Sequence, residues 1–182
     1  MRLWLTPALA EQIARYALDL RLEEVCGVIA GIGEQARQVI PIKNVAVDPQ
    51  HHFRLDERAF TQAIFDMERA GLSFIGIYHS HPHGDPIPSQ TDIQQANYPD
   101  TVYLIVGLRH GEPRLAGWQI RAGEVNRIDV HISTQAPLPQ QQPLSRAEKT
   151  AIILAALIAF AFMLILSLSL LPPAPIIVTP LP

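Results

Sequence analysis

Tyr78-His79-Ser80-His81-Pro82-His83-Gly84-Asp85-Pro86-Ile87-Pro88-Ser89-Gln90-Thr91-Asp92 is the stretch from which the rest of this chain can be read. The apolar run Phe74–His79 reads as a fully buried strand that delivers three histidines into a proline-rich loop. Strand ends feeding loops are common places for sites. In an extended backbone, residues two apart point the same way, so His79 and His81 can face one ion, and imidazole suits zinc. Asp92 falls in the first turn of a short helix expected from about Ser89 to Asn97, from which its carboxylate can return to the two imidazoles. A catalytic zinc takes three protein ligands and leaves one position to water. That water needs a base, and Glu23 and Glu24, at the edge of the Val25 strand, are both candidates.

Outward from this stretch the hydrophobic period changes repeatedly. Pro7–Leu20 places Leu9, Ile13, Tyr16, Ala17 and Leu20 on one helical face, behind a Thr6 cap. Val25–Ala30 is a short apolar strand closed by Gly31-Ile32-Gly33, with Ala36–Ile42 as its partner. Asp56–Ala70 reads as a second helix, capped by Asp56 and ended by Gly71. Thr101–Leu108 is a further strand, and Leu115–Ile120 and Val125–His131 form an antiparallel pair around Ala122-Gly123. The sum is an α+β, or layered α/β, architecture: a mixed β-sheet flanked by helices.

The 182 residues allow one ordinary domain and an appendage. Every charged residue lies between Arg2 and Lys149, and the net charge of -3 gives no basic surface for nucleic acid. Cys26 is the only cysteine, which excludes an internal disulfide. Leu3–Ala10 is apolar, but Pro7 interrupts it, so it reads as a strand and a helix start rather than a signal peptide. From Ala151 to Leu171 runs an uncharged segment of 21 residues. As a helix it spans about 30 Å, the thickness of a bilayer core. Arg146 and Lys149 precede it and no charge follows it, so the positive-inside rule puts residues 1–149 in the cytoplasm. The expected division is a catalytic domain over 1–132, a Pro/Gln-rich linker over 133–149, a transmembrane helix over 150–171 and a Pro-rich tail over 172–182.

These residues resemble the JAB/MPN metallopeptidases, whose JAMM signature is a distant Glu, then His-x-His, ten residues, and Asp. His79-Ser80-His81 and Asp92 have that spacing, Ser89 falls on the family's serine, and Glu24-Val25-Cys26-Gly27 matches its early Glu-x-x-Gly. The likeness covers about residues 1 to 130. It implies one zinc ion held by His79, His81 and Asp92 with water as fourth ligand. It further implies Glu24 as general base and later proton donor, and Ser89 as hydrogen-bond donor to the oxyanion. It implies a fold related to cytidine deaminases. The implied substrates are peptide or isopeptide bonds after the C-terminal tail of ubiquitin-like or sulfur-carrier proteins, a tail that can add as a strand to a sheet edge.

Neighbouring residues read differently. His83 lies outside the motif and reads as a solvent-facing loop residue, as does Asp85, while Cys26 reads as a small core residue. His51-His52 precedes a helix cap and reads as a surface turn. His-Glu-x-x-His is absent, and so is Gly-x-Ser-x-Gly. His110-Gly111-Glu112 satisfies a deaminase His-x-Glu, but one cysteine cannot supply Pro-Cys-x-x-Cys. Two other functions use the same residues: an inactive MPN scaffold that binds a partner at the membrane, and a hydrolase of a small aminoacyl or thiocarboxylate adduct. Oligomeric state has no signature in the sequence.

Overall fold

The computed structural model describes residues 1–135 and 146–169, with side-chain surroundings over 1–135 and 150–167. The chain divides into two units, Met1–Leu138 and Pro139–Pro182. The first contains β1 (Arg2–Leu5), α1 (Pro7–Asp19), β2 (Cys26–Ile32), β3 (Gln35–Ile42), α2 (Glu57–Arg69), β4 (Ser73–His81), α3 (Gln90–Gln94), β5 (Val102–Gly107), β6 (Arg114–Arg121) and β7 (Glu124–Ile132). The second contains α4 (Arg146–Ser169). Most of the expected linker, and the tail beyond α4, lie outside the described residues.

The sheet is mixed, in the order β1-β3-β2-β4-β5-β6-β7. β4 and β5 run parallel, β2 lies antiparallel to both β3 and β4, and β5, β6 and β7 form an antiparallel meander. Beyond the expected layers, the sheet closes on itself, because β1 pairs parallel to β7 on one side and touches β3 on the other. Closure removes open sheet edges, so among the described residues this sheet leaves no edge for the expected strand addition of a substrate tail.

Alternation along the strands sorts side chains into two cores. Ile29, Tyr78 and Leu104 join Ala10, Ile13 and Ala17 of α1 in one cluster, whereas Val28, Ile77 and Tyr103 join Ala63 and Met67 of α2 in the other. α1 begins where Thr6 Oγ1 accepts the Leu9 N–H at 3.2 Å, with Pro7 supplying a first-turn residue that has no N–H to satisfy. α2 begins with Asp56 Oδ1 accepting from Ala59 N at 2.9 Å and stops at Gly71, whose φ of 69° suits glycine. Counting two residues at a time from Ile77 puts His79 and His81 on the α2 side of the sheet. A Cβ at Gly27 would overlap the Ile40 carbonyl oxygen and the Tyr78 ring. Glycine there lets β3 and β4 approach β2 closely enough to bring Glu24 beside the histidines.

Candidate metal centre

The end of β4 and the first turn of α3 converge on one point. The Nε2 atoms of His79 and His81 lie 3.0 Å apart. Asp92 Oδ1 is 3.4 Å from His79 Nε2, and Asp92 Oδ2 is 3.3 Å from His81 Nε2. All three residues are buried, and together they form a group able to hold a metal ion. The donor set fits zinc: two imidazole nitrogens and a carboxylate oxygen aimed at a shared volume, with one tetrahedral position left over. His81 Nδ1 sits 3.0 Å from the Asp85 carbonyl oxygen, an acceptor only, so Nδ1 carries the proton and Nε2 turns its lone pair toward the centre. His79 is fixed differently. Its ring stacks on Phe53 at 4.2 Å between centroids, and its buried Nδ1 has no hydrogen-bond partner among the described residues.

Asp92 is placed by a reciprocal helix cap. Ser89 Oγ accepts the Asp92 N–H at 3.1 Å, and Asp92 Oδ2 accepts the Ser89 N–H at 2.7 Å. Accepting uses one lone pair of the Ser89 hydroxyl and leaves its O–H a donor. Ser89 is exposed. Burial alone would raise the Asp92 carboxyl, but the two adjacent imidazoles and the Ser89 N–H outweigh it and hold the group well below the usual carboxylate range.

The β2–β4 register distinguishes the two acidic residues. Cys26 pairs with His79 and Gly27 with Tyr78, and Ser80 N donates to Val25 O at 2.9 Å, so the next step brings Glu24 level with His81. Glu24 is 6% exposed, whereas Glu23 is exposed. Burial pushes the Glu24 carboxyl up to about 8, His81 opposes that shift, and the charges of Asp92 and Asp48 add to it. Cys26 is fully buried, and burial lifts its thiol to about 12, which keeps it protonated.

The proline-rich loop is held from β5 and β6. Trp118 Nε1 donates to the Pro86 carbonyl at 2.9 Å, Leu108 N donates to the His81 carbonyl at 3.1 Å, and a Cβ on Gly107 would overlap Pro86. The Asp85 carboxylate meets Arg109 at 3.1 Å and His110 at 3.2 Å. Asp85 is therefore more than a loop residue, because its carbonyl orients His81. His83 is exposed and outside the metal-ligating group, and His51 and His52 are exposed on a turn. Sequence reasoning missed Phe53, Asn44, Trp118 and the Asp85 carbonyl. Only Phe53 carried a local signal, an aromatic residue beside the second helix cap.

The family described as prokaryotic homologs of the JAB domain matches residues 6–122. A protein named desampylase from Haloferax volcanii is 45% identical over 85 residues, covering 45% of this chain and 60% of the relative. The match thus spans less than two thirds of that protein. A probable TtuB-protein conjugate cleaving protease from Thermus thermophilus is 37% identical over 105 residues, 58% of this chain and 70% of the relative. A CysO-cysteine peptidase from Mycobacterium tuberculosis is 32% identical over 116 residues, 62% of this chain and 79% of the relative. Among solved structures, a protein from Desulfitobacterium hafniense superposes with a TM-score of 0.66 at 27% identity, covering 80% of this chain and all of its own.

Proposed function

Given that the chain belongs to the prokaryotic JAB-domain family, we propose that it is a zinc-dependent hydrolase of peptide or isopeptide bonds at the C-terminal tail of a ubiquitin-like or sulfur-carrier protein. The observation that carries this reading is the convergence of His79, His81 and Asp92 on one point, with Glu24 buried level with His81. The names of the relatives, which refer to conjugate cleavage and to peptidase activity, support the substrate class.

In this mechanism His79, His81 and Asp92 would hold the ion. When bound, zinc supplies a Lewis acid for the scissile carbonyl and lowers the pKa of a water towards about 7. Glu24 takes the proton from the attacking water and later returns it to the leaving amine. Burial suits this carboxyl to holding that proton in between, while a nearby cation favours its ionised form at the start. Ser89, with its O–H still a donor, stabilises the oxygen on which charge develops. The paired strands β2 and β4 keep Glu24 beside His79 and His81 during the transfer.

The second part of the proposal concerns α4. It is 24 residues long, and its segment Thr150–Ser167 has a mean hydropathy of 2.7 with no residue buried. Such a helix, about 36 Å long, is suited to a bilayer. We read it as a membrane anchor, with residues 1–149 on the cytoplasmic side. Mass spectrometry of a ubiquitin-like precursor incubated with the zinc-loaded chain tests the activity. Cleavage directly after the tail, abolished by a chelator and restored by zinc, is the expected result. Intact precursor in every condition leaves the binding scaffold as the better account.

A further inference from the structure

Glu24 lies two residues before β2, a place where backbone is often loose, yet its main-chain groups are all held. Its N–H donates to the Pro49 carbonyl at 2.7 Å, and its carbonyl accepts from Asn44 Nδ2 at 2.8 Å. The next N–H, of Val25, donates to Ser80 Oγ at 3.0 Å. Asn44 does more than hold Glu24. Nδ2 also donates to the His52 carbonyl at 2.9 Å, while Oδ1 accepts from Ala46 N at 2.9 Å and from Arg54 N at 3.0 Å. Both donors and both lone pairs of the amide are thereby used. His52 and Arg54 flank Phe53, whose ring stacks on His79 at 4.2 Å with an interplanar angle of 19°.

From this we infer that Asn44 is a positioning residue: one side chain ties the backbone of the buried Glu24 carboxylate to both sides of the aromatic wall on His79. Its catalytic consequence rests on the reading of Glu24 as the base. A simpler role, closing the hairpin between β3 and α2, does not account for the contacts. That hairpin is already closed by the antiparallel Asn44–Leu55 bridge, whose two hydrogen bonds are Val45 N to Arg54 O at 2.8 Å and Asp56 N to Lys43 O at 3.2 Å. A hairpin brace has no need of a bond to the Glu24 carbonyl, a residue in a different part of the chain. Asn44 itself is only partly buried, and it acts through Glu24 and Phe53 rather than on substrate.

Asn44→Asp separates the two roles. It keeps the acceptor for Ala46 and Arg54 and loses both donors. Amide hydrogen exchange on the zinc-loaded full chain is the primary measurement. The Arg54 amide should stay protected and the Ile29 amide unchanged, while the Glu24 amide, whose own bond to Pro49 is kept, exchanges at least about tenfold faster because a Glu24 carbonyl released from Asn44 lets this segment open more readily. Zinc stoichiometry should be unchanged. With a ubiquitin-like fusion as probe, kcat should fall at least about tenfold and KM stay within about twofold, as for an interaction made in the transition state. That fall should vanish in a Glu24→Gln background, since the two residues act as one unit. Should Asn44→Asp fail to fold, the uncharged Asn44→Ser carries the same expectations for Glu24 and Ile29. Unchanged Glu24 exchange overturns the inference, as does an equal loss of rate in the Glu24→Gln background. If the wild-type chain cleaves nothing, the hydrolase reading fails, and the exchange pattern still decides the role of Asn44.

Discussion

Cys26 and His79 are cross-strand partners in the β2–β4 ladder, and that single register sets the site. Because the strands run antiparallel, moving two residues back from Cys26 and two forward from His79 brings Glu24 level with His81. A slip of one residue would send Glu24 to the opposite face. Glycine at position 27 permits this register, since any side chain there would collide with Tyr78.

Replacing Glu24 by Gln should leave the metal site filled and lower hydrolysis by about 10²–10⁴-fold, the usual contribution of a positioned base. Steady-state rates together with zinc stoichiometry on the same preparation check this. Loss of zinc would show that Glu24 holds the ion rather than moves a proton.

The same substitution makes a pH prediction for the metal-free protein. Glu24 has an ordinary value of 4.5 and a folded value raised to about 8 by burial, so the folded state binds its proton more tightly than the unfolded state. Relative to Glu24→Gln, the wild-type fold should therefore be unaffected below pH 4.5, lose stability as pH rises towards 8, and level off above that. The slope in this window approaches ~1.4 kcal/mol per pH unit. Urea denaturation across the range measures it, and zinc should shrink the difference, because a cation favours the ionised carboxyl.

Ser89→Ala should have two separable effects. Loss of the helix cap should cost about 1 kcal/mol. Loss of the hydroxyl donor should lower kcat by about 10²–10³-fold. Thermal melts read the first and initial rates the second. An unchanged rate with a lowered melting temperature would restrict Ser89 to capping.

Much of this was readable from residue order. Helices α1 and α2, the β2–β3 hairpin and the terminal β6–β7 pair follow the local hydrophobic period and its glycine punctuation. The spacing of His79, His81 and Asp92 pointed to one site because i and i+2 side chains share a strand face. Three features escaped. Closure of the sheet depends on Arg2 meeting Asp129, a pairing whose partners no local pattern names. The helix expected to reach Asn97 stops at Gln94, where Pro99 disfavours helical Tyr98 and the Tyr98 N–H donates instead to Tyr103 Oη at 2.9 Å. The supports of the site, the Asp85 carbonyl and the Asn44 amide, act through backbone contacts that leave no residue pattern.

Trp118→Phe removes the Nε1 donor to Pro86 while keeping most of the ring. Stability should fall by about 1 kcal/mol. Because the loop it holds carries Ser89, kcat should fall while zinc stoichiometry stays constant. Unchanged kinetics would mean that Gly107 and the Leu108–His81 bond suffice to hold the loop.

The central claim is that His79, His81 and Asp92 form a zinc site. Native mass spectrometry of the full chain, purified without chelators, tests it most directly. One zinc per chain is predicted in the wild type and in Glu24→Gln, and none in a His79→Ala/His81→Ala variant that remains folded by circular dichroism. A wild-type chain without zinc after equilibration with the ion, or a double variant that keeps it, would contradict the account.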